Sequence, residues 1–432
     1  MKQFLGISKT TRVNKPLINA STYFGANILN GVIPFLLLPV LTRFLSVEEF
    51  GEVAIFQTLY MALSAFVGIT IVGAADRKYF DSDSASAMAS FIGACLQISL
   101  ALTTATFIFF LIFYKQAAIL LGLPASYIFY SILVAACLVI IQLRLGQWQI
   151  RNKAMLYGVF QVAQSSLIVI FAVLLIIVLN FDSFGRVISQ VMICGIFALY
   201  SIYLLKKDEL LEFFSWNPLY IKESLKFGMP LVPHVIGVFL ISMADRFIIA
   251  TELGISQSGI YMLAAQLATI IWLVFDAINK AFLPWLYEVL SRDLQEEKKL
   301  VVKLTYIWFG LILMTTPIAF FAGPIIVSII AGPAYMEAGK VFGWLALGHS
   351  FGGMYAMLNC YIYFSKDTSM LSIVTIFCGV INISLLIFLI KDFGIMGAGI
   401  AFSISMFLRF ILTWMTAQIK HPMPWLTFLK KT

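Results

Sequence analysis

Three charged or titratable residues lie in an apolar run that is long enough to cross a lipid bilayer. The run at 231–250 reads LVPHVIGVFLISMADRFIIA and contains His234, Asp245 and Arg246. A charged group in hydrocarbon costs roughly 2.5–3.5 kcal/mol on insertion scales, so such residues are retained for pairing or for transport. On an unbroken helix His234 and Asp245 line one stripe about 16 Å apart. Imidazole and carboxylate groups near the midplane are typical of proton- or sodium-linked helices.

A purely structural interpretation of these residues stays open. His234 follows Pro230 and Pro233, and it can bond to the backbone where the prolines open the helix. Asp245 and Arg246 are neighbours, so they point about 100° apart on a helix and should not share a face. We therefore expect one of them to face an aqueous cavity and the other to pack against a neighbouring helix or lipid headgroups.

Other apolar runs carry charged residues as well. Asp276 and Lys280 are one turn apart, so they form either an i,i+4 ion pair or a site at the inner mouth of a cavity. Arg409 is the deepest cation, and an unpaired Arg at that depth should face the protein interior or water. Arg144 lies in the last turns of its run, which favours an interfacial position over a role in an inner cavity.

Composition identifies the class of protein that must position these residues. The 432 residues are 61% hydrophobic and 12% charged, whereas soluble proteins carry about 25% charged residues. Apolar windows of about 20 residues recur along the chain, the length of a membrane-spanning helix. The five cysteines share no CxxC spacing, which indicates small apolar residues rather than disulfides or metal ligands. We expect an all-α polytopic membrane protein. Segment 1–16 is basic but lacks an apolar h-region followed by a small-residue cleavage site, so we expect no cleaved signal peptide.

Hydropathy predicts twelve transmembrane helices. Their ranges are 17–42, 51–74, 87–114, 126–147, 156–180, 184–205, 227–250, 259–283, 304–323, 338–364, 369–390 and 396–419. Of the 29 Lys and Arg residues, 22 lie at the termini or in the even-numbered gaps, as expected for the cytoplasmic side. Both termini are therefore predicted to be cytoplasmic. The net charge of +8 follows from this topology and does not indicate nucleic-acid binding.

An internal repeat relates the two halves of the chain. FGANILNGVIPFLLLPVLTRF and FGMPLVPHVIGVFLISMADRF are offset by 203 residues, and each ends in Arg-Phe, at Arg43 and Arg246. With six helices in each half the halves run the same way. The repeat therefore predicts two parallel six-helix bundles around a central cavity. The predicted domains are an N-terminal lobe 1–208, an amphipathic cytoplasmic linker 209–226 and a C-terminal lobe 227–432.

Several stretches resemble the polysaccharide-biosynthesis transporters. They are LTRFLSVEEFGEVAIFQTL, ESLKFGMPLVPHVIGVFLISMADRFIIATELGISQSGIYMLAAQL, AGPAYMEAG and DFGIMGAGIAF. That family contains the Wzx-type O-antigen and capsule flippases of the multidrug/oligosaccharidyl-lipid/polysaccharide exporter superfamily. The resemblance implies alternating access, which moves an undecaprenyl-pyrophosphate-linked glycan from the cytoplasmic to the outer leaflet of the bacterial inner membrane. It implies lipid-linked glycan and membrane lipids as partners, together with a polysaccharide polymerase and chain-length machinery.

The resemblance implies that the charged residues bind an anionic diphosphate. Such a group needs cations in a water-filled cavity, and a guanidinium pairs with phosphate oxygens in fork geometry. The candidate substrate-binding residues are Arg409, Arg246, Arg43, Lys280, Arg144 and Asn27. The candidate ion-coupling residues are Asp245, His234 and Asp276. Arg43 and Arg246 can instead anchor their helix ends at the interface, and Asn27 can bond a neighbouring helix. We expect no catalytic residue, metal or cofactor, apart from Na⁺ or H⁺ as a coupling ion.

Two other functions compete with this one. A multidrug/cation antiporter of the same superfamily needs acidic residues that attract organic cations, whereas Arg409 and two histidines are among the deep groups here. A membrane glycan polymerase needs a large outer loop with catalytic Arg or His, and the predicted outer loops are short. The chain has no GxxxxGK[ST] sequence, so ATP bound to this chain is not expected to drive transport. The protein is predicted not to be an enzyme.

Overall fold

The computed structural model describes residues 10–68, 71–81, 84–365 and 369–425. Within those ranges the chain is all-α and has no β-strand. The α-helices are α1 (Thr10–Phe44), α2 (Val47–Gly68), α3 (Ile71–Asp81), α4 (Ala85–Leu121), α5 (Ala125–Ile150), α6 (Ala154–Val173), α7 (Asp182–Lys207), α8 (Pro218–Gly228), α9 (Val232–Ser242), α10 (Ala244–Leu253), α11 (Ile255–Arg292), α12 (Gln295–Ala331), α13 (Met336–Phe364), α14 (Ser369–Phe393) and α15 (Ile395–Lys420). Residues 1–9 and 426–432 of the two predicted cytoplasmic termini lie outside the described ranges.

The apolar helices make this a multi-pass membrane protein. In the described part of the chain, 11 helical segments are long and apolar enough to cross a bilayer. Each predicted span overlaps an observed helix, but α13, which covers 338–364, is not among the 11. Five glycines and the polar residues Lys340, His349 and Asn359 lower its hydropathy. The number twelve therefore stays a prediction, while the all-α, multi-span fold is confirmed.

The predicted span 227–250 is interrupted twice. A 3₁₀ turn, Met229–Leu231, separates α8 from α9, and Met243 alone separates α9 from α10. Met243 has φ −141° and ψ −29°, far from helical values. Pro230 lies in the first interruption, where its missing N–H removes a helical hydrogen bond. Hydropathy could not predict the second interruption, because Met243 is itself a good helix former.

The chain divides into two compact units. The first comprises the described part of Met1–Val40, together with Leu59–Ile119 and Leu123–Pro230. Its core forms where α3, α4 and α5 meet, and the apolar face of α8 packs against it. This packing gives α8 a fixed position within the first unit.

The second unit comprises Leu41–Thr58, Leu120–Gly122 and the chain from Leu231 onward. Its core surrounds α13, which packs against α11, α12 and α15. The start of α2 joins this unit because Gly51 fits closely against α11: a Cβ atom at Gly51 would lie 2.2 Å from the Ile255 carbonyl oxygen. The predicted division at 208 and 227 stays a prediction.

Candidate functional site

A buried ion pair lies at the break between α9 and α10. The carboxylate of Asp245 accepts a short hydrogen bond from the Tyr261 hydroxyl, and its Oδ1 lies 3.6 Å from Nη1 of Arg246. Arg246 also donates to the Ser242 carbonyl at 2.7 Å. Asp245 and Arg246 are only 4% and 9% exposed. Both residues lie on α10, yet their side chains meet, because the long Arg246 side chain turns back to the Ser242 carbonyl in the last turn of α9.

His234 and Asp245 do not form the predicted stripe. His234 lies on α9 and Asp245 on α10, and the non-helical backbone at Met243 changes the helical phase between them. The condition on which the stripe depended, an unbroken helix, is therefore not met. His234 is half-buried and lies near enough to Arg409 to interact with it electrostatically.

Arg409 is the centre of a second buried polar cluster, which joins α13, α14 and α15. Its Nη2 donates to the Tyr355 hydroxyl at 2.9 Å and to Thr375 Oγ1 at 3.2 Å. The guanidinium carbon lies 3.9 Å from the centre of the Tyr355 ring, a cation–π contact. Asn359 donates a further hydrogen bond to the same hydroxyl at 3.2 Å. The Nε of Arg409 and the Oδ1 of Asn359 are buried without a hydrogen-bond partner among the described residues.

The charge of Arg409 is not compensated by a neighbouring carboxylate. None of the ion pairs in the described chain includes Arg409, whose partners are all neutral. Arg246, by contrast, is neutralised by Asp245. Removing an ion from water costs several kcal/mol, so a buried cation held only by hydroxyls retains a strong attraction for an anion. Arg409 is thus a buried cation whose charge no carboxylate of the described chain neutralises.

Asp276 and Lys280 form the predicted i,i+4 pair on α11. Lys280 Nζ lies 2.5 Å from Asp276 Oδ2. The Lys280 side chain is 66% exposed, and that of Asp276 is 29% exposed. Pairing explains how these charges are retained, and the exposure of Lys280 leaves donors free for a second partner.

Arg144, predicted to be interfacial, is buried within the protein and paired; its depth in the membrane stays a prediction. Its side chain is 2% exposed, and its Nη2 lies 2.5 Å from Oδ2 of Asp208. Burial raises the pKa of Asp208, but the hydrogen bond and charge of Arg144 outweigh it and hold that pKa below its usual value. Lys153, at 4.0 Å from the same oxygen, adds to this effect. Arg144 therefore fixes the end of α7 to α5, and its charge is neutralised.

Arg43 and Asn27 lie on α1, and both are exposed. Arg43 has no ion-pair partner among the described residues. Asn27 accepts a hydrogen bond from the Tyr157 hydroxyl at 3.3 Å, which is the helix–helix bond that sequence analysis allowed. The side-chain N–H groups of Asn27 take no part in this bond and can still donate.

Sequence analysis left out three further polar residues of the described chain or used them only to predict topology. Arg186, half-buried on α7, donates to Gln190 at 3.0 Å and pairs with no carboxylate in the described chain. Arg151 lies 4.7 Å from the centre of the Tyr79 ring. Asp76 on α3 is half-buried, with the Gln147 amide at 3.4 Å. Their position near the ends of predicted spans concealed them, because burial there depends on tertiary packing.

No metal centre is formed by the described side chains. Nowhere in those ranges do three or more His, Cys, Asp or Glu residues come together in a geometry that can hold a metal ion. All five cysteines are buried thiols.

Sequence comparison relates the chain to proteins of polysaccharide synthesis. The family model described as "Polysaccharide biosynthesis protein" matches residues 17–290. A protein of the Lsg locus of Haemophilus influenzae is 28% identical over 305 residues, which cover 68% of this chain and 71% of that protein. An uncharacterized membrane protein of the same organism is 27% identical over 307 residues, covering 69% of this chain and 71% of that protein.

Solved structures share the fold. An inward-facing multidrug resistance MATE family transporter of the MOP superfamily superposes with a TM-score of 0.74 at 15% identity, covering 90% of this chain and 94% of that one. The lipid II flippase MurJ, in an inward-closed conformation, superposes with a TM-score of 0.72 at 14% identity, covering 92% of this chain and 87% of that one. At these identities the likeness establishes the fold alone.

Proposed function

Because the chain belongs to the polysaccharide biosynthesis protein family and has the fold of MOP-superfamily transporters, we propose that it is a flippase for lipid-linked oligosaccharides. The cargo is an undecaprenyl-pyrophosphate-linked repeat unit, moved by alternating access from the cytoplasmic to the outer leaflet. Transport serves the assembly of a surface polysaccharide such as O-antigen. The flippase resides in the bacterial inner membrane with both termini in the cytoplasm, and it catalyses no covalent chemistry.

The uncompensated charge of Arg409 carries this proposal. A diphosphate crossing the membrane must exchange its hydration for fixed donors, and a guanidinium offers two parallel N–H groups to phosphate oxygens. Tyr355 and Thr375 occupy donors on Nη2. The buried Nε donor has no hydrogen-bond partner among the described residues, so a phosphate oxygen can accept from it in a transport conformation that exposes it.

Asp245 supplies the coupling step in this proposal. Its carboxylate is shared between Arg246 and the Tyr261 hydroxyl. Protonation removes the negative charge that neutralises Arg246, which then becomes a second cation for the diphosphate. A bound Na⁺ at the carboxylate would act in the same direction. His234 and Asp276 are secondary candidates for coupling, since neither forms a hydrogen bond or ion pair with Asp245 in the described chain.

The other predicted binding residues receive different roles. Arg43 and Lys280 are exposed cations that can attract the diphosphate as it enters or leaves, because attraction at a distance requires no fixed geometry. Asn27 can bond sugar hydroxyls through its free amide donors. Arg144 keeps a structural role beside Asp208. A polysaccharide polymerase and chain-length machinery are the expected downstream partners.

The fold also suits a second function, the export of cationic drugs. The superposition on a multidrug resistance transporter favours this alternative. The charge of the Arg409 cluster opposes it, because an organic cation would be repelled by a guanidinium without a counterion.

A deletion strain tests the choice. The amount of lipid-linked glycan on each leaflet of the inner membrane and the amount of surface polymer are measured with and without the restored protein. Single repeat units stranded on the cytoplasmic leaflet, together with lost surface polymer, would support the flippase. Repeat units accumulating on the outer leaflet would point to a polymerase. Unchanged glycan on both leaflets, with increased sensitivity to cationic drugs, would favour the drug exporter.

A further inference from the structure

An apolar groove with two lysines among its lining residues runs along α8 in the first unit. It has a volume of about 490 Å³ and is lined by Trp216, Ile221, Lys222, Leu225 and Lys226 among others. Its walls are almost wholly apolar, since Lys222 and Lys226 line it with the carbon atoms of their side chains. We call it the α8 groove.

The helix that carries this groove is firmly held. Asn217 caps α8 through bonds to the N–H groups of Leu219 and Tyr220. On the opposite face Ser224 is fully buried, with its hydroxyl 3.6 Å from Cys95 Sγ. Because α8 is fixed on its inner face, the groove is a preformed surface and need not be ordered by its ligand.

The two lysines of the groove lack a counterion. Lys222 and Lys226 are exposed and lie four residues apart, so their charges project from the same side of α8. The neighbouring carboxylate, Glu223, is already bound to Lys78 at 2.8 Å. Neither groove lysine belongs to an ion pair in the described chain. Like charges at this spacing repel each other, and a bound anion between them removes the repulsion.

Large exposed apolar side chains on α8 and in the segment just before it suit a lipid surface. Phe214, Trp216 and Leu219 are 91%, 71% and 74% exposed. Exposing three such side chains to water is unfavourable, whereas aromatic rings are enriched where headgroups meet hydrocarbon. The anion expected at the lysines is therefore one that is attached to an apolar chain.

We propose that the α8 groove binds an anionic phospholipid, with its phosphate between Lys222 and Lys226 and its acyl chain against Trp216. The partner is a resident lipid of the membrane rather than the transported glycan. This binding does not depend on the proposed transport function. The site anchors α8 to an anionic membrane surface, and α8 belongs to the segment between the two halves of the chain.

Quenching of Trp216 fluorescence tests the proposal on the full chain in lipid vesicles. The vesicles contain phosphatidylcholine with increasing fractions of brominated phosphatidylglycerol or of brominated phosphatidylcholine. The Trp216 signal is the difference between the wild type and Trp216→Phe. We expect half-quenching at a roughly 30-fold lower fraction of the anionic lipid, equivalent to about 2 kcal/mol for two lysines near the surface.

Two double variants with the same change in net charge complete the experiment. Lys222→Gln/Lys226→Gln should abolish the preference for the anionic lipid, whereas Lys206→Gln/Lys207→Gln, which alters exposed lysines at the end of α7, should retain it. Equal quenching by both lipids in the wild type, or no quenching, would overturn the proposal. It would also be overturned if excess inorganic phosphate removed the preference, since the groove would then bind free phosphate.

Discussion

Replacement of Arg409 by Met should slow transport by roughly 10- to 150-fold while leaving the protein folded. Methionine has a similar length but no charge and no donors. The variant loses hydrogen bonds to Tyr355 and Thr375 and the cation–π contact with the Tyr355 ring. It also loses the cost of burying a cation without a counterion, so the two contributions to the free energy of unfolding oppose each other. We expect the net change in stability to be small.

The effect on transport follows from the donors that Arg409 offers to a phosphate. A hydrogen bond to a charged group contributes about 1.5–3 kcal/mol, which corresponds to a roughly 10- to 150-fold change in an equilibrium or rate. Arg409→Lys keeps the charge but loses the fork geometry and the planar contact with Tyr355, so it should transport at an intermediate rate.

The assay uses vesicles reconstituted with the purified protein and a lipid-linked oligosaccharide. A membrane-impermeant glycosidase measures the fraction of glycan that reaches the outer face with time. Lys303→Met is the matched control, because it removes an exposed cation from α12 by the same substitution and should transport as the wild type does. Thermal unfolding in detergent confirms that each variant is folded.

One result would refute the reasoning. If folded Arg409→Met moved the glycan at the wild-type rate, Arg409 would be a structural residue of the core, and the charge argument for an anionic cargo would fail. Loss of transport in the Lys303→Met control as well would show that the assay reports total charge rather than this site.

Three other substitutions have expected outcomes. Asp245→Asn breaks a buried ion pair, so we expect a loss of about 3–5 kcal/mol in the free energy of unfolding and a transport rate that no longer responds to the ion gradient; unchanged ion dependence would exclude Asp245 from coupling. Asp208 has a folded-state pKa below its unfolded value, so its pairing with Arg144 stabilises the protein above about pH 5 and is lost as the pH falls below about 4; Asp208→Asn should lower the unfolding midpoint at neutral pH and flatten its dependence on acid. Gly237→Ala would place a Cβ atom 2.8 Å from Ile376 backbone atoms, so it should destabilise the protein by about 1–3 kcal/mol; Gly310→Ala, with no atom within 4 Å of its added Cβ, should cost nothing, and equal melting of both variants would contradict the close packing at Gly237.

Hydropathy predicted the helices well, since each predicted span overlaps an observed one. The reason is physical. A helix forms all its backbone hydrogen bonds internally, as hydrocarbon requires, and about 20 apolar residues are long enough to cross the bilayer. The i,i+4 pairing of Asp276 with Lys280 was also predictable, because it depends only on helical geometry.

The partners of the buried charges could not be predicted from local spacing. Arg144 pairs with Asp208, 64 residues later in the chain. The Asp245 carboxylate reaches Tyr261 on another helix. Such contacts depend on how helices pack, and hydropathy carries no information about that packing. The break at Met243, which separates His234 on α9 from Asp245 on α10, is likewise not indicated by residue propensity.

The burial of every native thiol makes this protein suitable for site-directed labelling. Cys95, Cys137, Cys194, Cys360 and Cys378 are all buried, so aqueous maleimides applied to intact membranes should react slowly with them. A cysteine introduced at an exposed position such as Trp216 can then be modified selectively on the wild-type background. Accessibility from either side of the membrane, read at such positions one at a time, would map the topology directly, and the natural sequence would need no prior removal of cysteines.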